Sequence, residues 1–332
     1  MDVGIAGAGP AGAFCAERLA RRGHAVTLFD PSHPREKACG GGVTPGVFAR
    51  YPELAALRSL GHPVKRARLR AGSSGVDVEL LEPIDIFSRQ RFDGALLERA
   101  LAAGAVLEPR RVRRARAEES GAGLLVDGEW RGFDLVVGAD GAASAVRRCL
   151  LSEKPGGPGG YATVGFHVSG LPEDELFVEF LPDMRGYLWS FPRPGHSSVG
   201  IAAPVGALGG DALGDRVLEL LGRVYPGSLE LGRVRYAASI PSPSHRQARY
   251  PVVAGPRFPL AGDAANQVDV ITGEGIHHAL GGAALLADAV DEAGPVAGPA
   301  LYGERWQRGP APCSGSSPSV RAAAAAGGSW AT

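Results

Sequence analysis

The first twelve residues restrict what this chain can fold into more than any other stretch. Val3-Gly4-Ile5-Ala6 reads as a short buried strand, Gly7-Ala8-Gly9-Pro10-Ala11-Gly12 as a glycine turn, and Phe14 to Arg22 as a helix. That is GxGxxG in the strand-turn-helix setting it requires. Gly7 permits the tight turn, Gly9 lets the backbone approach a pyrophosphate, and Gly12 lets helix and strand pack closely. The helix N-terminus, entered through Pro10 and Ala11, faces the anion. A second strand, Ala25 to Phe29, ends at Asp30, about twenty residues after the glycines, where a carboxylate accepts ribose hydroxyl hydrogen bonds. An acid there disfavours a 2′-phosphate.

Chance glycine patterns have to be weighed, because 49 of 332 residues are glycine, about twice the usual share of ~7%. Context discriminates: a strand before, a helix after, a second strand, and an acid at its end. Lys+Arg and Asp+Glu are 35 each, so the net charge is zero and nothing suggests a nucleic-acid surface. The run Arg110, Arg111, Arg113, Arg114 and Arg116 is read as the solvent face of a strand. Cys15, Cys39, Cys149 and Cys313 show neither a CxxC pair nor metal-ligand spacing, which suits a reducing compartment and no metal. The first strand begins at residue 2, leaving no room for a signal peptide. No apolar run reaches the roughly 18 residues of a spanning helix. The expectation is a cytoplasmic protein, with peripheral membrane contact and oligomeric state left open.

After Asp30 comes Pro31-Ser32-His33-Pro34-Arg35-Glu36-Lys37-Ala38-Cys39-Gly40-Gly41-Gly42. Three successive glycines suit a backbone lying close against a flat ligand; a flexible surface loop is the alternative. The segment PREKACGGG just after a second strand resembles the geranylgeranyl reductase family of flavoproteins. That resemblance implies FAD rather than NAD, and puts Arg35, Lys37, Gly41 and Gly42 at the cofactor, with Val112 further along. Residues 52 to 62 read as a short helix, followed by strands at Val64 to Ala71 and Val76 to Leu81. Arg89-Gln90-Arg91-Phe92-Asp93 leads into a helix from Gly94 to Ala103. In the resembling family an Arg before Phe-Asp reaches the FAD phosphates, so Arg91 is the candidate and Arg89 the alternative.

An apolar strand, Phe133 to Val137, delivers Gly138-Ala139-Asp140-Gly141 and then a helix. This resembles the DG motif of the wider aromatic hydroxylase superfamily and implies Ala139, Asp140 and Gly141 near the pyrophosphate. From Tyr161 to Ser239 the pattern alternates, which predicts a mainly antiparallel sheet with one helix near Asp211 to Arg223. Tyr187, Trp189 and Phe191 alternate on one strand, so they share a face and line an apolar pocket or pack as core. Within the resemblance their YxWxFP is a family landmark, and flavin halogenases have a similar aromatic strand. Arg257 to Ala261 is expected as the last strand of the nucleotide domain. Gly262-Asp263-Ala264 then resembles the third flavin motif, with Asp263 accepting a ribityl hydroxyl. Ile271-Thr272-Gly273-Glu274-Gly275-Ile276 opens a helix to about Ala289, whose N-terminal dipole would face the flavin pyrimidine edge. His277 and His278 are not a metal pair; one is expected buried and the other exposed. Leu301 to Arg308 begins like a further helix, whereas 309–332 is Gly/Ser/Pro/Ala-rich and expected to be disordered or aberrant, where the resembling reductases continue as a helical region.

The expected architecture is α/β: a Rossmann-like FAD-binding domain of the aromatic hydroxylase type with an inserted, mainly antiparallel substrate sheet. The FAD domain comprises 1–62, 86–150 and 255–308, and the sheet domain 63–85 and 151–254. The resemblance implies an FAD-dependent reductase of isoprenoid C=C bonds, fed by NAD(P)H or a small electron carrier. Cys39 is its candidate functional thiol, and Tyr187 and Trp189 line the reaction chamber. A flavin monooxygenase, as hydroxylase or halogenase, is the alternative, as is an inactive FAD-binding remnant. A halogenase needs a catalytic Lys on the substrate side, and the lysines are Lys37, Lys65 and Lys154.

Overall fold

The computed structural model describes residues 1–151, 160–240, 253–269 and 273–309. Strand β1 (Asp2–Ala6) is central in a parallel sheet, between β2 (Ala25–Phe29) and β10 (Leu135–Gly138), with β6 (Val106–Glu108) outside β2. Val3 to Ala6 are buried, as an unbroken apolar run in a two-sided sheet must be. Helix α1 (Pro10–Ala20) follows β1 directly, with Pro10 in its first turn, where a missing N–H costs nothing. It packs between α3 (Arg89–Ala102) and α6 (Ile276–Arg308), and its Ala and Gly face allows the close approach. A meander of β7 (Val112–Ala117), β8 (Ala122–Val126) and β9 (Glu129–Phe133) precedes β10, and α4 (Ala145–Leu151) follows it. On β7, Arg113, Arg114 and Arg116 face solvent while Val112 and Ala115 are buried; a register shift between Val112 and Arg114 breaks strict alternation and sets this spacing.

The second body is an eight-stranded sheet. Its order is β15-β11-β14-β13-β12-β4-β5-β3, built from β3 (Gly42–Val43), β4 (His62–Ala71), β5 (Ser74–Ile86), β11 (Tyr161–Val168), β12 (Glu175–Phe180), β13 (Tyr187–Arg193), β14 (His196–Pro204) and β15 (Arg233–Ile240). All pairs are antiparallel except β12 with β4. One face is covered by α5 (Gly210–Val224), whose Leu213, Val217, Leu220 and Leu221 bury against Val164, Phe166, Val199 and Ile201. Burial at about 1.5–3 kcal/mol per large aliphatic side chain makes that face the fixed one. Tyr187, Trp189 and Phe191 project from the other face of β13, because side chains alternate along a strand.

Several local expectations are corrected. A helix α2 (Pro45–Arg50), not anticipated, precedes residues 52–60, which form a 3-10 helix. Strand β5 runs on to Ile86. The strand expected at 257–261 shrinks to β17 (Phe258–Pro259), paired with β16 (Val253–Gly255). Arg257 takes a left-handed backbone (φ 65°) in the intervening turn and cannot extend it. Leu260 nevertheless bridges Gly138 in parallel. The helix expected to end near Ala289 runs on a little further, and non-helical backbone at Gly294 (φ 74°, ψ −177°) separates it from a second helix that starts earlier than the expected Leu301, the two together forming α6. His277 and His278 are both half-buried and stack with ring centroids 5.6 Å apart, rather than one facing in and one out. Lys154, Ile271, Thr272, Cys313 and the tail from 310 lie outside the described residues. No helix among the described residues is long and apolar enough to cross a membrane.

Candidate active site

Three glycine-bearing turns converge at the carboxyl ends of β1, β10 and β17, where open α/β sheets bind ligands. The amide of Ala139 bonds to Ala6 O at 2.8 Å and that of Ala261 to Gly138 O at 2.9 Å, setting the GADG and GDAA turns beside GAGPAG. Packing there is close enough to dictate residue type. A Cβ on Gly12 would sit 1.9 Å from Gly7 O, and Gly7 (φ 99°) faces Ala139 O at 2.2 Å in the same sense. A Cβ on Gly262 would meet Ala11 Cβ at 2.9 Å. Gly9 differs: a Cβ there would make only ordinary contact with His33 Nε2 at 3.5 Å, so the protein itself does not require glycine at this position.

The acceptors around this space are only partly used. Asp140 Oδ2 accepts from the amides of Ala145 (2.6 Å) and Val146 (3.4 Å) and so caps α4, whereas its buried Oδ1 has no partner among the described residues. Burial raises the Asp140 pKa, against the lowering by Ser144 and these amides. The Asp263 carboxylate accepts no hydrogen bond among the described residues and lies 3.7 Å from the Cβ position of Gly275, the residue before α6. Ala264 is buried in the same turn, and Ile276 opens the helix. This turn is tied from behind: Gln267 Oε1 takes the Gly262 N–H (2.7 Å), and Tyr302 joins Gln267 to Leu260 O.

Asp30 stands at the end of β2, with both oxygens engaged by its own chain. Oδ2 accepts from Ala8 N (3.0 Å) and pairs with His33 Nδ1 (2.7 Å), while Oδ1 takes the amides of Ser32 and His33. Burial works against the Asp30 charge, but His33 and the Ala8 and Ser32 amides prevail and hold it well below the usual carboxylate range. His33 Nε2 reaches Asp93 at 3.4 Å. Burial pulls its pKa down, and Asp30 and Asp93 together push it above 6.5. Asp93 in turn makes a two-toothed pair with Arg89, both bonds 2.8 Å and both residues buried. Arg89 is therefore committed, whereas Arg91 is exposed on the first turn of α3 and makes no ion pair among the described residues.

The loop from Arg35 to Gly42 is anchored to both bodies. Exposed Arg35 bonds Ser32 Oγ at 3.1 Å. Lys37 makes no hydrogen bond among the described residues; burial and Arg89 depress its pKa, against Asp263 and Asp93. Glu36 takes the Ser88 hydroxyl and the Arg89 amide at the start of α3 and pairs with Arg193 at 2.6 Å. Cys39 is half-buried, its Sγ accepting the Gly41 N–H at 3.3 Å. Gly41 (φ 87°) backs onto Phe87 O, where a Cβ would sit at 2.2 Å, and Gly42 enters β3. A Cβ on Gly40 would strike the Phe191 ring at 2.5 Å. Gly40 and Gly41 are therefore required by close approach to the protein, whereas Gly42 has only ordinary contacts.

Opposite stands the aromatic face of β13. Tyr187 and Trp189 lie 5.8 Å apart, and Trp189 Nε1 donates to Ser198 Oγ at 3.4 Å. Burial, with Cys39 adding to it, pushes the Tyr187 phenol up to about 12. A Cβ on Gly273 would fall 2.9 Å from Tyr187 Oη, so the segment before α6 meets the sheet here. Val112 is buried at the start of β7, in the core of the nucleotide domain. The sequence reading did not single out His33, Glu36 or Arg193. Their available signals were an acid inside PREKACGGG and an Arg directly after YLWSFP. Lys65 is exposed on β4 and Lys37 belongs to the glycine loop, so neither stands on the aromatic face. Among the described residues no three His, Cys, Asp or Glu are grouped to hold a metal ion.

The residues present fit a dinucleotide that carries a flat ring system. The spare acceptors of Asp140 and Asp263 and the cation of Lys37 are the groups the protein itself leaves unused, beside a Gly9 that its own packing does not demand.

The family described as NAD(P)-binding Rossmann-like domain matches residues 5–44. Menaquinone reductase of Mycolicibacterium smegmatis is 31% identical over 93% of this chain and 81% of its own length. Digeranylgeranylglycerophospholipid reductase of Methanothrix thermoacetophila is 29% identical over 92% of this chain and 83% of its own. Among solved structures, a geranylgeranyl bacteriochlorophyll reductase-like protein from Thermoplasma acidophilum superposes with a TM-score of 0.76 at 23% identity, covering 91% of this chain and 81% of that one. The last shows a shared fold, an α/β nucleotide domain joined to a mainly antiparallel sheet. The first carries more: with that identity over that span, the chain belongs to the geranylgeranyl reductase family of FAD-dependent oxidoreductases.

Proposed function

We propose that the protein reduces C=C bonds of an isoprenoid chain at bound FAD. The observation that carries the reading is the juxtaposition of the three-turn dinucleotide crevice with the aromatic face of β13 across the Cys39–Gly42 loop. Gly7, Gly9, Pro10, Ala11 and Gly12 would hold the pyrophosphate, Asp30 the ribose, and Asp263 the ribityl chain. Arg35, Lys37 and Arg91 would supply cations, with Val112, Ala139, Asp140, Gly141, Gly262 and Ala264 around them. Gly273, Gly275 and Ile276 would place the start of α6 at the ring. Reduced FAD supplies a hydride to one alkene carbon.

The chain's own residues do the rest. Tyr187, Trp189 and Phe191 wall a dry chamber and orient an apolar chain, and exclusion of water protects the reducing equivalents. Cys39 Sγ, on the same loop, delivers the proton to the second alkene carbon, so that two hydrogens are added and the thiol is reprotonated from solvent. The names of the relatives support an isoprenoid as substrate class, and NAD(P)H or a small electron carrier as donor is part of the same proposal. A lipid substrate fits a cytoplasmic protein touching the membrane peripherally. The test is to incubate reduced holoprotein with geranylgeranyl diphosphate and with menaquinone, and to follow product mass. A gain of two hydrogens per reduced bond supports the reading. An oxygenated product, or none with either lipid, overturns it.

A further inference from the structure

Arg193 is wholly buried, yet its hydrogen bonds go to a loop 153 to 157 residues away in sequence. Its Nη1 pairs with Glu36 Oε2 at 2.6 Å, its Nε donates to Gly40 O at 3.2 Å, and its Nη2 donates to Cys39 O. Ser198 Oγ gives Cys39 O a second bond at 2.9 Å, and is itself held by Tyr236 Oη (3.0 Å) and Trp189 Nε1. Burying a guanidinium costs several kcal/mol before its partners compensate, and apolar packing would fill the same space without that cost. The charge therefore calls for a use that packing does not supply.

Peptide geometry gives one. In a planar trans peptide the C=O and the following N–H point in opposite directions. With the carbonyls of Cys39 and Gly40 drawn to Arg193 and Ser198 on the sheet, the N–H groups of Gly40 and Gly41 turn away from it. The Gly41 N–H ends on Cys39 Sγ, whereas the Gly40 N–H has no partner among the described residues. We infer that Arg193 is a positioning residue, orienting two successive peptide dipoles so that the Gly40 N–H and Cys39 Sγ face the isoalloxazine ring. The inference rests on the FAD reading above. Fixed donors aimed where negative charge develops stabilise the reduced ring over the oxidised one, so the strap tunes the cofactor and not only its affinity.

The test uses FAD-loaded wild type, Arg193→Met, Arg193→Lys and Ser198→Ala, with FAD Kd, two-electron midpoint potential and apoprotein Tm measured for each. Arg193→Met should lose about tenfold in its preference for reduced over oxidised FAD, a shift of about 30 mV to more negative potential. Lysine should restore part of it, and Ser198→Ala should shift it less, in the same direction. Variants that hold FAD at the wild-type potential overturn the inference, even if their Tm falls, since a merely structural strap moves only Tm. Should Arg193→Met fail to fold, Ser198→Ala and Arg193→Lys decide by the same criterion. A wild type that takes up no FAD sinks the cofactor reading itself, which is recorded before any variant is compared.

Discussion

Adding one carbon at Gly9 and, separately, at Gly12 distinguishes the space kept for a cofactor from the space the protein fills itself. At Gly12 the new Cβ would lie 1.9 Å from Gly7 O, so helix α1 must retreat from β1 by more than an ångström. Overpacking of that kind costs about 1–3 kcal/mol, seen in the apoprotein as a Tm lower by about 2–4 °C per kcal/mol. At Gly9 the nearest atom is 3.5 Å away and the backbone (φ −69°, ψ −176°) suits alanine. Loss of the glycine cap costs about 0.5–1 kcal/mol, offset by about 0.4–1 kcal/mol from a stiffer unfolded chain. Gly9→Ala should therefore leave the apoprotein Tm nearly unchanged. Its methyl group would instead enter the pyrophosphate's path, and the same 1–3 kcal/mol of overpacking then falls on binding, about five- to 150-fold in FAD Kd. Fluorescence titration of FAD and thermal melts of both apoproteins give the answer. A Gly9→Ala protein that melts like Gly12→Ala, or binds FAD like wild type, refutes the assignment of that space.

Three further outcomes follow from the same geometry. His33 gains Asp30 and Asp93 on folding and its pKa rises above 6.5, so its contribution is complete below that pH and fades as pH climbs through the folded value; His33→Gln should flatten the fall of apoprotein stability as pH rises above 6.5, and an unchanged slope would contradict the pairing. Glu274 is pushed up to about 6 by burial and Asp269, so its stabilising protonation is complete below 4.5 and is lost as pH rises through 6. Glu274→Gln should thus add up to about 2 kcal/mol of stability at pH 8, at about 1.4 kcal/mol per pKa unit, and none at pH 4.5, seen as a higher Tm at pH 8 only; equal effects at both pH values would count against it. Asp263→Ala should weaken FAD about tenfold, the worth of one charge-assisted hydrogen bond, while leaving the apoprotein melt intact.

What was legible in the sequence is what is local. GAGPAG, GADG and GDAA could each be read because a strand, a turn and a helix start lie within a dozen residues, and their convergence follows from the adjacency of β10, β1 and β17. The alternation of Tyr187, Trp189 and Phe191 placed the aromatic face for the same reason. The Arg193–Glu36 strap was illegible because its partners are 157 positions apart and an Arg beside a hairpin looks like a solvent residue. The Asp30–His33–Asp93–Arg89 chain likewise joins a loop to a helix far along the sequence. Apolar periodicity carries no mark of which charges will be buried together. Helix α2 was hidden by a glycine at its second position, whereas the break within α6 was legible because Gly294 and Pro295 end a helix locally, and the backbone there is indeed non-helical.

The central claim is that electrons leave this protein for an alkene. The holoprotein should be reduced anaerobically and divided, one portion mixed with geranylgeranyl diphosphate and the other with air, while the flavin absorbance is followed. The account predicts that the alkene alone restores the oxidised spectrum, at a rate that Cys39→Ala lowers without weakening FAD. Reoxidation by oxygen alone, with the alkene portion remaining reduced, would contradict it.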